Sequence, residues 1–282
     1  MLALAGWVAT RGAVAQDDWT TPHKPFRIFG NTYYVGSAGL SAILITSDAG
    51  HILIDGGLAA VAPLIETNIR SLTFELHDVR LILNTHEHFD HAGGIAPLQR
   101  ATGARVAASP AAARALQQGH PTLEDPQYAS GLRSPYDPVP NVQTIADGAA
   151  LRVGPLTVTA HFTPGHTPGA TTWTWRSCEG RRCVDVVYAD SLTAVSDDGF
   201  RFTGDAQRPS TIETFRASIA LVARLPCDIV LAPHPSLIDF ARKIKQLEAG
   251  RNVNPFIESG ACRKYAAAAR TRLERRVADE RK

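Results

Sequence analysis

Residues 85–91, Thr-His-Glu-His-Phe-Asp-His (THEHFDH), carry three histidines and two carboxylates directly after the apolar run RLILN at residues 80–84. A charged surface turn, an acid/base cluster and a metal site are the three readings of such a stretch. On a helix, the spacing of four would bring His86 and Asp90 to one side. The apolar strand before them and Gly93-Gly94 after them point instead to a tight loop, whose close neighbours can face two adjacent centres. Neutral imidazole and carboxylate suit zinc, and a catalytic zinc keeps three protein ligands with a further position open to water. Two such ions need six ligands. His86, His88, Asp90 and His91 supply four, and His166 in TPGHTPG (163–169) and His234 in APHP (232–235) complete the count.

Outward from this loop, short strands alternate with helices. FRIFGNTYYVG (26–36) and LSAILITSDAGHILIDGG (40–57) read as successive strands, with Asp48-Ala49-Gly50 as a hairpin turn. Val61, Leu64, Ile65, Ile69 and Leu72 recur at three-to-four spacing, giving a helix over 59–72 with one apolar face. A second helix runs through Arg100 and stops at Gly103; RVAAS (105–109) then leads to Ser109 as N-cap, Pro110 at the first helical position and Gly119 past the end. The segment 120–140 is rich in proline and lacks periodicity, as a loop walling a site would be. Strands resume at ALRVG (150–154), LTVTAHFTP (156–164), ATTWTWRS (170–177) and CVDVVYADS (183–191), with CEGRRC as the turn between the last two. A helix from Ser210 buries Ile212, Phe215, Ile219 and Val222; the strand DIVLA (228–232) precedes His234; and a closing helix from about residue 262 has Tyr265, Ala269, Leu273 and Val277 on its apolar side.

With 282 residues and 44% hydrophobic side chains, the chain can bury one large core or two small ones. Lys+Arg of 29 against Asp+Glu of 27 leaves a formal charge of +2, too little for a phosphate-binding stripe, so nucleic acid is not an expected partner. No apolar segment reaches the roughly 20 residues of a membrane span. Residues 1–15 are small and apolar and end in Ala13-Val14-Ala15, the pattern of a secretory cleavage site, although Arg11 interrupts the run. The expected organisation is therefore a leader over 1–15 and one domain over 16–282, located in the periplasm or secreted. Four cysteines fit an oxidising compartment. The hairpin-like spacing of the first two pairs Cys178 with Cys183, which leaves Cys227 for Cys262.

One pattern goes beyond a succession of elements. RLILN runs into the His86 loop as DIVLA runs into His234, and HILID ends in Asp55 as VVYAD ends in Asp190. These are the marks of two related halves whose strand ends converge on one edge.

HxHxDH, followed by a histidine in PGHTPG and another after a late strand, resembles the metallo-β-lactamase superfamily. GNTYYVG, NTHEHFDHAGG, PGHTPGATTWTW and YADSLTAV together are similar to its subclass B3. The resemblance implies an α/β fold, a four-layer αββα sandwich of two similar halves. It implies two Zn2+ ions, one held by His86, His88 and His166 and the other by Asp90, His91 and His234, with a metal-bridging hydroxide oriented by Asp90 as nucleophile. Small-molecule β-lactam antibiotics are the implied partners, and a monomer is expected. Ser191 stands where other subclasses place a cysteine ligand. Ser191 and Thr193 resemble the family's contacts to the substrate carboxylate and suit local backbone bonding equally well. Tyr34 and Gln127 are candidate pocket residues, with packing the alternative for Tyr34. Glu87 is expected in solvent and Phe89 at the rim, Asp55 behind the metal loop, and His23, His51, His77, His120 and His161 outside the site. A thioester or lactone hydrolase with Asp190 as a bridging ligand is the competing expectation.

Overall fold

The computed structural model describes residues 18–250 and 253–282; the expected leader over 1–15 lies outside them. Among the described residues, twelve strands form two sheets. The first runs β1 (Phe26–Phe29), β2 (Thr32–Tyr34), β3 (Ile43–Ile45), β4 (His51–Ile54), β5 (Val79–Leu83), β6 (Arg105–Ala108) and β7 (Gln143–Thr144) in sequence order. The second contains β8 (Ala150–Val153), β9 (Leu156–Phe162), β10 (Thr171–Glu179), β11 (Arg182–Tyr188) and β12 (Ile229–Leu231), in the order β12-β11-β10-β9-β8.

Strand alternation explains the layering, because successive side chains leave a strand on opposite faces. Ile43, Ile45, Ile52, Ile54, Leu81 and Leu83 join Val158, Trp173 and Val186 of the second sheet in one core. Leu44, Leu53, Ile82 and Val106 point the other way, into a core shared with helices α1 (Ala62–Ser71), α3 (Ile95–Thr102) and α4 (Pro110–Gln118), while α2 (Phe89–Ala92) is a single turn. The short helix α5 (Tyr128–Leu132) lies in the long loop. On the far side of the second sheet, α6 (Ile212–Arg224) and α8 (Ala261–Glu280) pack together, and α7 (Phe240–Glu248) falls between them in sequence. The result is the expected αββα order.

The paired halves are also present. β4 and β5 are parallel, as are β11 and β12. Asp55 and Asp190 follow the first strand of each pair, and the histidine loops follow the second. Cap residues act as their chemistry requires: the Ser109 hydroxyl accepts from Ala112 N, and Gly103 and Gly119 end their helices at φ 70° and 76°, where a side chain would be strained. Four elements differ from expectation. The end of THEHFDH is helical at α2, the 120–140 loop contains α5, β7 is a two-residue strand without a periodic signal, and α7 is an additional helix, although its Phe240, Ile244 and Leu247 recur at helical spacing. Both disulfides form as expected, Cys178–Cys183 across the β10–β11 hairpin and Cys227–Cys262 between β12 and α8. No helix among the described residues is long and apolar enough to cross a membrane.

Candidate metal centre

The loops after β5, β9 and β12 bring the histidines together at one edge of the sandwich. Ligand atoms of His86, His88 and His166 all lie within 4.8 Å of one another, as do those of His86, Asp90 and His91. Asp90 Oδ2 is 3.1 Å from His91 Nε2 and 3.4 Å from His234 Nε2, and those two nitrogens are 3.1 Å apart. Bonds of about 2.0–2.1 Å at tetrahedral angles around zinc separate ligand atoms by about 3.3 Å, so this triplet has the spacing of a zinc ligand set.

The other triplet is fixed from behind. His86 Nδ1 lies 2.9 Å from Asp190 Oδ1, leaving a buried Nε2 with no hydrogen-bond partner among the described residues. His88 Nε2 lies 3.1 and 3.2 Å from the two oxygens of Asp125. His166 Nδ1 lies 2.9 Å from the Thr193 carbonyl and 3.1 Å from its hydroxyl. Each ring thus has one nitrogen held against oxygen; the other is unpartnered in His86 and meets only the amide of Gln127, at 3.5 Å, in His88, and a nitrogen so oriented is turned toward a metal. An orphaned Nε2 at 0% exposure in His86 is satisfied by a metal ion, so the residues fit zinc.

Charge states agree with this use. Burial and the neighbouring imidazoles hold His86 and His166 well below the usual histidine range, and burial with His91 lowers His234 to about 4. All three are therefore neutral, as metal ligands must be. Burial works to raise the Asp90 carboxyl, but His91 and His234 hold it well below the usual range. Burial opposes protonation of His88, yet Asp125 raises it to about 9, so metal binding there displaces a proton.

Asp55 supports the loop from below. It accepts from Asn84 Nδ2, Thr85 N, Thr85 Oγ1 and, across the sheets, Tyr188 OH, at 2.7–3.3 Å. Burial pushes its carboxyl up to about 6, against those bonds and His91. Asp190 sits behind His86 and is itself held through backbone: Tyr265 OH on α8 donates to the Asp190 and Ser191 carbonyls at 2.6 and 3.0 Å.

Several expectations change. Glu87 is not in solvent: it is fully buried, and its carboxylate accepts from Thr167 Oγ1 at 2.8 Å and Gly169 N at 2.9 Å. Tyr34 is a packing residue, 1% exposed, stacked on Phe26, with its hydroxyl donating to the Ser37 and Leu40 carbonyls. Ser191 is enclosed and its Oγ has no partner among the described residues, whereas Thr193 is partly exposed. Gln127 is at the cluster, with Nε2 3.5 Å from His88 Nδ1. Phe89 sits at the rim beneath Trp19, which also packs 5.7 Å from the His234 ring. Asp125 is the residue that sequence reasoning missed; an aspartate before proline in an irregular loop carries no periodic signal. His161 bonds Thr174, His23 bonds the Lys24 carbonyl and His120 bonds the Pro121 carbonyl; His51 packs edge-on against Phe74, and His77 is a neighbour of Asp78.

Comparison with known proteins adds breadth. The family model described as metallo-beta-lactamase superfamily matches residues 38–175. The solved structure of Rm3 metallo-beta-lactamase is 46% identical with a TM-score of 0.91, over 96% of this chain and 100% of that one. A subclass B3 metallo-beta-lactamase isolated from a soil metagenome library is 49% identical with a TM-score of 0.89, over 93% and 98%. Among curated proteins, a hydroxyacylglutathione hydrolase from Anaeromyxobacter dehalogenans (strain 2CP-C) is 31% identical over 172 residues, 60% of this chain and 55% of that protein. The chain spans little more than half the length of the curated relatives it matches. Matched across nearly its whole length at such identity, the chain belongs to the metallo-β-lactamase superfamily and, within it, to subclass B3.

Proposed function

We propose that this chain is a zinc β-lactamase that hydrolyses the amide bond of penicillins, cephalosporins and carbapenems and so confers antibiotic resistance. His86, His88 and His166 hold one ion, and Asp90, His91 and His234 hold the other. The observation that carries the reading is the adjacency of two three-ligand sets: the ligand atoms of His86, His88 and His166 lie within 4.8 Å of one another, and Asp90 Oδ2, His91 Nε2 and His234 Nε2 stand 3.1–3.4 Å apart. Zinc at such a centre supplies Lewis acidity and lowers the pKa of water to near neutrality, so no serine nucleophile is required.

The protein's own groups supply position. Asp90 turns Oδ2 toward His91 and His234, leaving Oδ1 to orient the attacking water. Asp190, Asp125 and the Thr193 carbonyl keep the three other rings in register. Thr193 and Gln127, both partly exposed beside the cluster, contact the substrate carboxylate and the carbonyl side of the ring. Two disulfides support action in the periplasm or outside the cell; the acting unit proposed is a monomer of one domain over 16–282.

The curated matches favour a second reading, a thioester or lactone hydrolase. Against it, Asp190 lies behind His86 instead of among the ligand atoms. The purified protein with zinc is expected to open a chromogenic cephalosporin and to lose that activity with a chelator. A glutathione thioester and a lactone are run beside it. Cleavage of these two alone overturns the proposal.

A further inference from the structure

We propose that Glu87 is a positioning residue that sets His166 against His86 and His88, and that it thereby governs metal affinity at the three-histidine site without governing it at the Asp90/His91/His234 site. The inference rests on the assignment of the two sites above.

Glu87 lies between two ligands in sequence, yet its side chain serves a third. Thr167 immediately follows His166, and Gly169 closes the same turn; the two carboxylate oxygens take one bond from each. The backbone of Glu87 is anchored as well, because Tyr136 OH donates to its carbonyl at 2.9 Å. The turn approaches closely: a Cβ on Gly169 would lie 2.6 Å from Glu87 Oε2 and 2.4 Å from Ala112 N, so only glycine fits. A carboxylate buried at 0% exposure is expensive to desolvate and is tolerated where its bonds fix something. What these bonds fix is the separation of two loops 80 residues apart in sequence. Among the described residues no hydrogen bond ties the Glu87 carboxylate to His234, which stands on the loop after β12.

The test measures zinc affinity by chelator competition, apart from turnover. In a His234→Ala background the remaining site is the three-histidine set; in His88→Ala it is the other. Glu87→Ala is expected to weaken zinc by about 10- to 100-fold in the first background and to leave the second unchanged. Glu87→Gln, whose amide oxygen can take the Gly169 N–H while its NH2 donates to Thr167 Oγ1, is expected to restore affinity in the first. Equal loss in both backgrounds, or loss in neither, overturns the proposal. Should Glu87→Ala not fold, Thr167→Val in the same two backgrounds carries the same expectations and the same refutation. If His88→Ala and His234→Ala each bind as much zinc as the unaltered chain, the site assignment itself fails and the proposal falls with it, a result separate from the others.

Discussion

The two disulfides are expected to contribute very differently to stability. A crosslink stabilises mainly by removing loop-closure entropy from the unfolded chain, and the effect grows with loop length. Cys178–Cys183 has a sequence separation of 5 and Cys227–Cys262 one of 35. The loop-entropy relation gives about 2.1 kcal/mol for the first and about 3.8 kcal/mol for the second, a difference of about 1.7 kcal/mol. Burial widens the gap: Cys262 is 1% exposed within the core, whereas Cys178 is exposed at a hairpin end. The perturbations are the paired variants Cys178→Ser/Cys183→Ser and Cys227→Ser/Cys262→Ser. Urea unfolding by linear extrapolation, in chelator so that metal release does not contribute, measures both. The second pair also reaches the site, since Cys262 lies one helical turn before Tyr265, whose hydroxyl holds the Asp190 and Ser191 carbonyls. Lower zinc affinity is therefore expected in that variant alone. Equal destabilisation by the two pairs, or a larger loss from Cys178/Cys183, would refute the reasoning.

Four shorter predictions accompany it. Asp125→Asn keeps the shape behind His88 but loses the charge, and should weaken one zinc equivalent by about 10-fold or more in a chelator titration; unchanged affinity counts against its orienting role. Asp55→Ala strands three buried donors, Asn84 Nδ2, Thr85 N and Thr85 Oγ1, at about 1–3 kcal/mol each, while Tyr188 OH keeps the Ser41 carbonyl, so a fall of at least about 3 kcal/mol in unfolding free energy is expected. Tyr34→Phe should lower stability by about 1 kcal/mol and leave kcat/KM untouched; a kinetic defect would return Tyr34 to the pocket. Gln127→Ala should raise KM for a cephalosporin more than it lowers kcat, and a pure kcat effect would show that it acts on the chemistry instead.

Most of the fold and the six candidate ligands were legible in the sequence because each rests on short-range information. Ile212, Phe215, Ile219 and Val222 announce a helix by period, Ser109-Pro110 and Gly119 by capping chemistry, and His86, His88, Asp90 and His91 by packing rare ligand types into one loop. The roles of Glu87 and Asp125 were not legible, since each depends on a partner 80 or 37 residues away that only the folded loops bring near. At Tyr34 the sequence permits a pocket and a core equally. The choice is made by Phe26, Phe240 and His23, which crowd its ring. The tertiary environment also decides α5, whose five residues carry too little periodicity to declare themselves, whereas Phe240, Ile244 and Leu247 of α7 recur at helical spacing.

The hydroxyl of Tyr265, reaching from the last helix to the backbone of residues 190 and 191, sets an order of events. Ligands run from His86 to His234, but the strand end behind His86 lacks this donor until α8 docks, and the Cys227–Cys262 crosslink likewise waits for the same helix. During synthesis, the chain thus carries a full complement of candidate ligands before it has a rigid cage for them. Firm metal capture becomes a late event that reports completion of the C-terminus, so a chain truncated before Tyr265 would hold its ions loosely even with every ligand in place.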